Sequence, residues 1–155
     1  MKKQLRNVAI TLLTIISVSA QSKKNQMEKR ITNPWEWQNA RSYVQAVEVK
    51  NVESTLYISG QTATDFEGKA STDSMKSQLT QTIQNLEQVI KEAGYESKNI
   101  VRLNIYTTSS EEFLECFDVF QKWIEKNNIK QVSTLLEVKS LFETLKIELE
   151  ATVVK

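Results

Sequence analysis

Residues 75–107 read MKSQLTQTIQNLEQVIKEAGYESKNIVRLNIYT, and this stretch decides the fold class. Met75, Leu79, Ile83, Leu86, Ile90 and Ala93 recur at three- and four-residue spacing, which places them on one stripe of a helix. Gly94 follows where a left-handed cap would end that helix. From Ile100 the period changes to two. Val101, Leu103 and Ile105 face one side of a strand, and Arg102, Asn104 and Tyr106 face the other.

Working outward, Ser109-x-x-Glu112 is a capping box for a second helix. Its stripe is Phe113, Cys116, Phe117, Phe120 and Ile124, and Asn127-Asn128 ends it. Two strands close the chain, over 133–138 and 145–153. In the last, Ile147, Leu149, Ala151 and Val153 alternate with Glu148, Glu150 and Thr152. Upstream, YVQAVEV at 43–49 predicts a strand and LYIS at 56–59 its neighbour, with Gly60 breaking the second. The predicted order is β-β-α-β-α-β-β. Each helix has a single apolar stripe, so both fit on one face of one sheet, as an α+β two-layer sandwich. The helical crossovers predict parallel pairs within a mixed sheet. The uncovered sheet face carries Tyr, Leu and Val side chains that packing against other subunits would cover.

Composition narrows the chemistry. The 155 residues suit one domain, and 40% hydrophobic with 25% charged residues is ordinary globular usage. There is no His and one Cys, which removes the Ser-His-Asp triad, the Cys-His dyad and the usual zinc ligand sets. No metal or cofactor is implied. The net charge of +1 supplies no positive field for nucleic acid.

The first 20 residues, MKKQLRNVAITLLTIISVSA, have the pattern of a signal peptide: basic Lys2, Lys3 and Arg6, an apolar run from Val8 to Val18, and Ala20 at the cleavage position. Export would place the protein in a bacterial periplasm or outside the cell, with no membrane contact after cleavage. Cleavage would leave 17 of the 20 basic residues against 19 acidic ones, a net charge of −2. Cys116 then has no partner in its own chain and is expected as a buried free thiol. Residues 21–33 are polar and aperiodic and read as a flexible tether, with the folded domain over 34–155. Trp35 and Trp37 are expected to pack on that domain.

The segments SYVQAV (42–47), YISGQ (57–61), QTIQNL (81–86), EAG (92–94), STLLEV (133–138) and KIELEA (146–151) occur together in this order. On them the chain resembles the reactive-intermediate deaminase (Rid) family, also labelled YjgF-like and endoribonuclease L-PSP. The resemblance implies a chorismate-mutase-like fold, a homotrimer, and ligand clefts between subunits. It also implies a role for Glu148 in placing an attacking water, and a cleft lined by Tyr43 and Ser59-Gly60.

Deaminating members of the family hold the substrate carboxylate with an arginine in the segment matching Val132-Ser133-Thr134. Ungapped alignment back from Glu148 puts that position on Ser133, and a one-residue shift puts it on Val132; neither is arginine. No arginine occurs after Arg102. Those members often carry Asn where Phe117 stands. The expectation is therefore a protein that binds a small metabolite through Tyr43, Ser59, Gly60, Ser133, Thr134 and Glu148, without arginine-dependent imine deamination. The alternative is a hydrolase of enamines or imines that uses Glu148, its catalytic candidate, and a water. RNA cleavage would need a base and phosphate anchors that are not found.

Overall fold

A computed structural model describes residues 26–155; the stretch read as a signal peptide lies outside the described residues. Six strands, β1 (Glu28–Thr32), β2 (Ala46–Lys50), β3 (Thr55–Thr62), β4 (Ile100–Thr107), β5 (Val132–Glu137) and β6 (Ile147–Val154), combine with three helices. The helices are α1 (Met75–Glu92), α2 (Ser110–Glu115) and α3 (Phe117–Lys126), and a 3-10 turn spans Trp37–Arg41.

The main sheet has four strands in the order β3-β6-β4-β5. Only β4 and β5 pair in parallel, joined by the α2–α3 crossover. β6 inserts between β3 and β4 and runs antiparallel to both, so the α1 crossover links strands that are not neighbours. One face is dry. Leu79, Leu86 and Ile90 of α1, Phe113 and Phe120 of the second helical segment, and Ile100, Leu103, Ile147 and Leu149 of the sheet are all essentially fully buried in one cluster. The uncovered face carries Tyr57, 79% exposed, and Leu136, 49% exposed, beside the polar side of β6.

Several expectations need correction. Residues 28–32, inside the predicted tether, form β1 and pair with β2 in a separate two-stranded sheet. Both faces of β1 lie largely in solvent, so EKRIT carries no alternation to read. The predicted strand over 43–49 starts only at Ala46 and pairs with β1 in that small sheet, not with its expected neighbour at 56–59, which joins β6 in the main sheet; Tyr43 lies in the loop before it. Gly60 does not end its strand. β3 continues to Thr62 through a register shift between Ile58 and Gln61, a bulge that absorbs the extra residue. The second helix is broken at Cys116 (φ −114°, ψ 20°), yet its buried stripe survives the break. Cys116 is free and buried, as expected, and burial raises its thiol pKa.

The ends of α1 and α3 follow local rules. Ser74 caps α1 by accepting from the Ser77 N–H. Asn128 (φ 49°) takes the left-handed position after α3, with Ile129 N–H donating to Ile124 O at 3.0 Å. Trp35 and Trp37 do not bury. They stack on each other at 6.1 Å and stay 56% and 51% exposed.

Candidate functional site

The uncovered sheet face forms rows of side chains set by register. Tyr106 of β4 lies opposite Glu148 of β6, and Asn104 lies opposite Glu150. Thr134 of β5 continues the Asn104 row. The Tyr106 hydroxyl donates to Glu150 Oε2 at 2.9 Å. That bond, with burial, holds the Tyr106 phenol above its ordinary pKa.

Gly60 explains where Glu148 points. A Cβ added at Gly60 would overlap the Glu148 carboxylate and lie 2.7 Å from its Cγ. Glu148 therefore lies across the bulge of β3, in space that any side chain at position 60 would fill. Desolvation there, followed by repulsion from Glu150, raises the Glu148 pKa from its ordinary 4.5. A carboxylate of this kind can take up and release a proton nearer neutrality than a solvated one.

The folded state binds the Glu148 proton more tightly than the unfolded chain. The associated stability is full below 4.5 and is lost as pH rises through the raised folded value. Glu148→Gln is expected to flatten that part of the stability–pH curve, measured by urea unfolding in a pH series. A curve identical to wild type would remove the assignment.

The six candidate residues separate into groups. Ser59, Gly60 and Glu148 come together at the β3–β6 side. Tyr43 and Ser133 come together at the β5 edge. Buried Gln131 ties Ser133 to the residues that flank Tyr43: its Nε2 donates to Ser42 O at 2.8 Å and to Ser133 Oγ at 3.2 Å, and its backbone carbonyl accepts from Val44 N–H. Thr134, in register with Asn104, is exposed on the uncovered face with the glutamates, whereas Ser133, in register with fully buried Leu103, lies on the helix-covered face. Three inter-strand steps of roughly 4.8 Å separate β3 from β5, so the two edges are about 14 Å apart within one chain.

Clefts flank both edges. One of about 1110 Å³ runs beside Gly60, Gln61 and the polar flank of α1. Another of about 690 Å³ lies between Tyr43 and α3. Among the described residues, no group of three or more Cys, Asp or Glu side chains is placed to hold a metal ion.

Sequence reading missed three residues around this site. Tyr106 and Asn104 were put on the polar side of their strand, but their pairing with Glu148 and Glu150 follows only from β6 inserting beside β4. Asn85 donates from Nδ2 to both Thr62 O and Thr64 O at 2.8 Å and fixes the end of β3 to α1.

Comparison with known proteins agrees with this architecture. The family model described as endoribonuclease L-PSP matches residues 35–155. A RutC family protein of Aquifex aeolicus is 31% identical over 113 residues, 73% of this chain and 88% of the relative. The Rid-family protein YyfB of Yersinia pestis superposes with a TM-score of 0.73 at 26% identity, over 82% of this chain and 98% of that one. Yeast Mmf1 gives a TM-score of 0.60 at 25% identity, over 86% and 95%. With the match running from Trp35 to the last residue, through both edges of the sheet, this chain belongs to the Rid/YjgF family, described as endoribonuclease L-PSP.

Proposed function

We propose that the protein is an exported Rid-family homotrimer that binds a small metabolite in clefts between its subunits. The carrying observation is the separation of the candidate groups. Tyr43 and Ser133 occupy one edge of the sheet, while Ser59, Gly60 and Glu148 occupy the other side. Setting the β5 edge of one copy against the β3 edge of the next brings them together and covers the exposed Tyr57 and Leu136. Such a cleft holds a carboxylate and hydroxyls but no guanidinium at position 133. It therefore favours a ligand without a free carboxylate, because a hydroxyl anchors an anion less strongly than arginine does.

A second reading has its own observation. The raised pKa of Glu148 suits a group that takes a proton from an attacking water, so imine or enamine hydrolysis is the catalytic alternative.

The test is ammonia release from enzymatically generated 2-aminoacrylate, with wild type beside Ser133→Arg and Glu148→Ala. The binding reading expects a silent wild type and a gain of activity in Ser133→Arg. Turnover by wild type that is lost in Glu148→Ala would replace it with the hydrolase reading. Silence in all three would show that the cleft has diverged beyond its anion anchor.

A further inference from the structure

Glu148 and Glu150 stand two residues apart on the same face of β6, so about 7 Å of strand separates them. Carboxylates that close compete for one proton. Their surroundings differ. Glu150 Oε2 accepts the Tyr106 hydroxyl at 2.9 Å, a bond that favours a charged carboxylate. Among the described residues no donor is bonded to the Glu148 carboxylate, which lies over Gly60 instead. Tyr106 is also the direct cross-strand neighbour of Glu148. Its ring stands beside one glutamate while its hydroxyl ties down the other.

We propose that Tyr106 is a positioning residue for Glu148 and acts through Glu150. Its hydroxyl fixes Glu150 as the charged member of the pair and leaves Glu148 to carry the proton that the site exchanges. The pair lies within one chain; only its consequence for a ligand rests on the cleft proposed above. The other titratable groups of the region are distant or engaged. Tyr57 of β3 and Arg102 of β4 both stand beside Thr152, two rows from Glu148. On β5, Thr134 and Leu136 fill this face, and Glu137 accepts from the Ser110 N–H. Lys146, before β6, pairs with Glu112 at 2.6 Å. Asp65 and Lys76 line the cleft beside Gly60 as one charge of each sign. The charge that bears on Glu148 is that of Glu150. While it holds the proton, Glu148 offers an O–H donor, so the ligand atom that it meets is an acceptor such as a carbonyl oxygen.

The test reads the proton itself and needs no ligand, so it stands or falls apart from the ammonia-release assay. The full chain, with isotope-labelled glutamate carboxyls, is followed by NMR through a pH titration as wild type, Tyr106→Phe and Glu150→Gln. In wild type the Glu148 signal is expected to move in the first step as pH falls, with the Glu150 signal still. Tyr106→Phe removes the bond that holds the charge on Glu150. Both signals should then move in the same step, with the Glu148 share of it cut by about half. Glu150→Gln keeps an acceptor for Tyr106 and removes the charge, so the Glu148 midpoint should fall toward the ordinary carboxylate range. A merely structural hydroxyl would lower thermal unfolding and leave the order of the two signals intact, and that result in Tyr106→Phe overturns the proposal. A Glu148 midpoint unmoved in Glu150→Gln overturns it too, and decides alone should Tyr106→Phe fail to fold. A wild type in which the Glu150 signal moves first overturns it by reversing the roles.

Discussion

Gly60→Ala is expected to leave the fold standing and to evict the Glu148 carboxylate from its place. The three atoms nearest the added Cβ all belong to the Glu148 side chain: its Oε1, Cδ and Cγ. A flexible side chain swings away at small cost, and Gly60 has no positive φ for alanine to strain. Stability should therefore change by less than about 1 kcal/mol. Glu148 should become more solvated, and its pKa should fall toward the ordinary value. Carboxyl resonances followed by NMR across a pH titration would read this directly. If Glu148 acts as a base on a bound water, turnover should drop about 100-fold with little change in thermal unfolding. A Glu148 pKa unchanged by the methyl group would mean that the bulge does not position it.

Gln78→Leu is the substitution expected to cost the most stability for its size. Gln78 is fully buried on the core-facing side of α1. Its Nε2 donates to Ser71 O, Asp73 O and Thr144 O, and its Oε1 accepts from Lys146 N–H at 2.8 Å. One amide thus ties α1 to the loop before it and to the segment that enters β6. Leucine matches its volume but leaves the Lys146 N–H and those carbonyls without this partner. Orphaned buried groups of this kind cost about 1–3 kcal/mol each, so a loss of about 3 kcal/mol is expected in urea unfolding. A loss below about 1 kcal/mol would show that water or a local shift replaces the amide.

Much of the molecule was legible because two periodicities are physical consequences of burial on one side. The α1 stripe from Met75 to Ile90 and the alternation from Leu103 onward match the structure, since each element packs one face on a single core. At the start of β4 a register shift buries Ile100 in place of the expected Val101, and Ala93 lies exposed past the end of α1. The β1 strand left no such trace because neither of its faces is buried. The break at Cys116 was invisible for the opposite reason: the apolar stripe continues across it, and periodicity reports faces rather than backbone angles.

The candidate site divides along the same line. Residue order alone shows that the chain lacks histidine, carries no arginine beyond Arg102, and places Glu148 and Glu150 on the polar side of a strand. Residue types and local spacing are enough for statements of that kind. The insertion of β6 between β3 and β4 emerges from the folded sheet and from no local pattern. That order sets Tyr106 and Asn104 against the two glutamates, lays Glu148 over Gly60, and holds Tyr43 with Ser133 at the far edge. Strand order is settled by which non-local pairing buries the most surface, a property of the whole chain that no window of sequence contains.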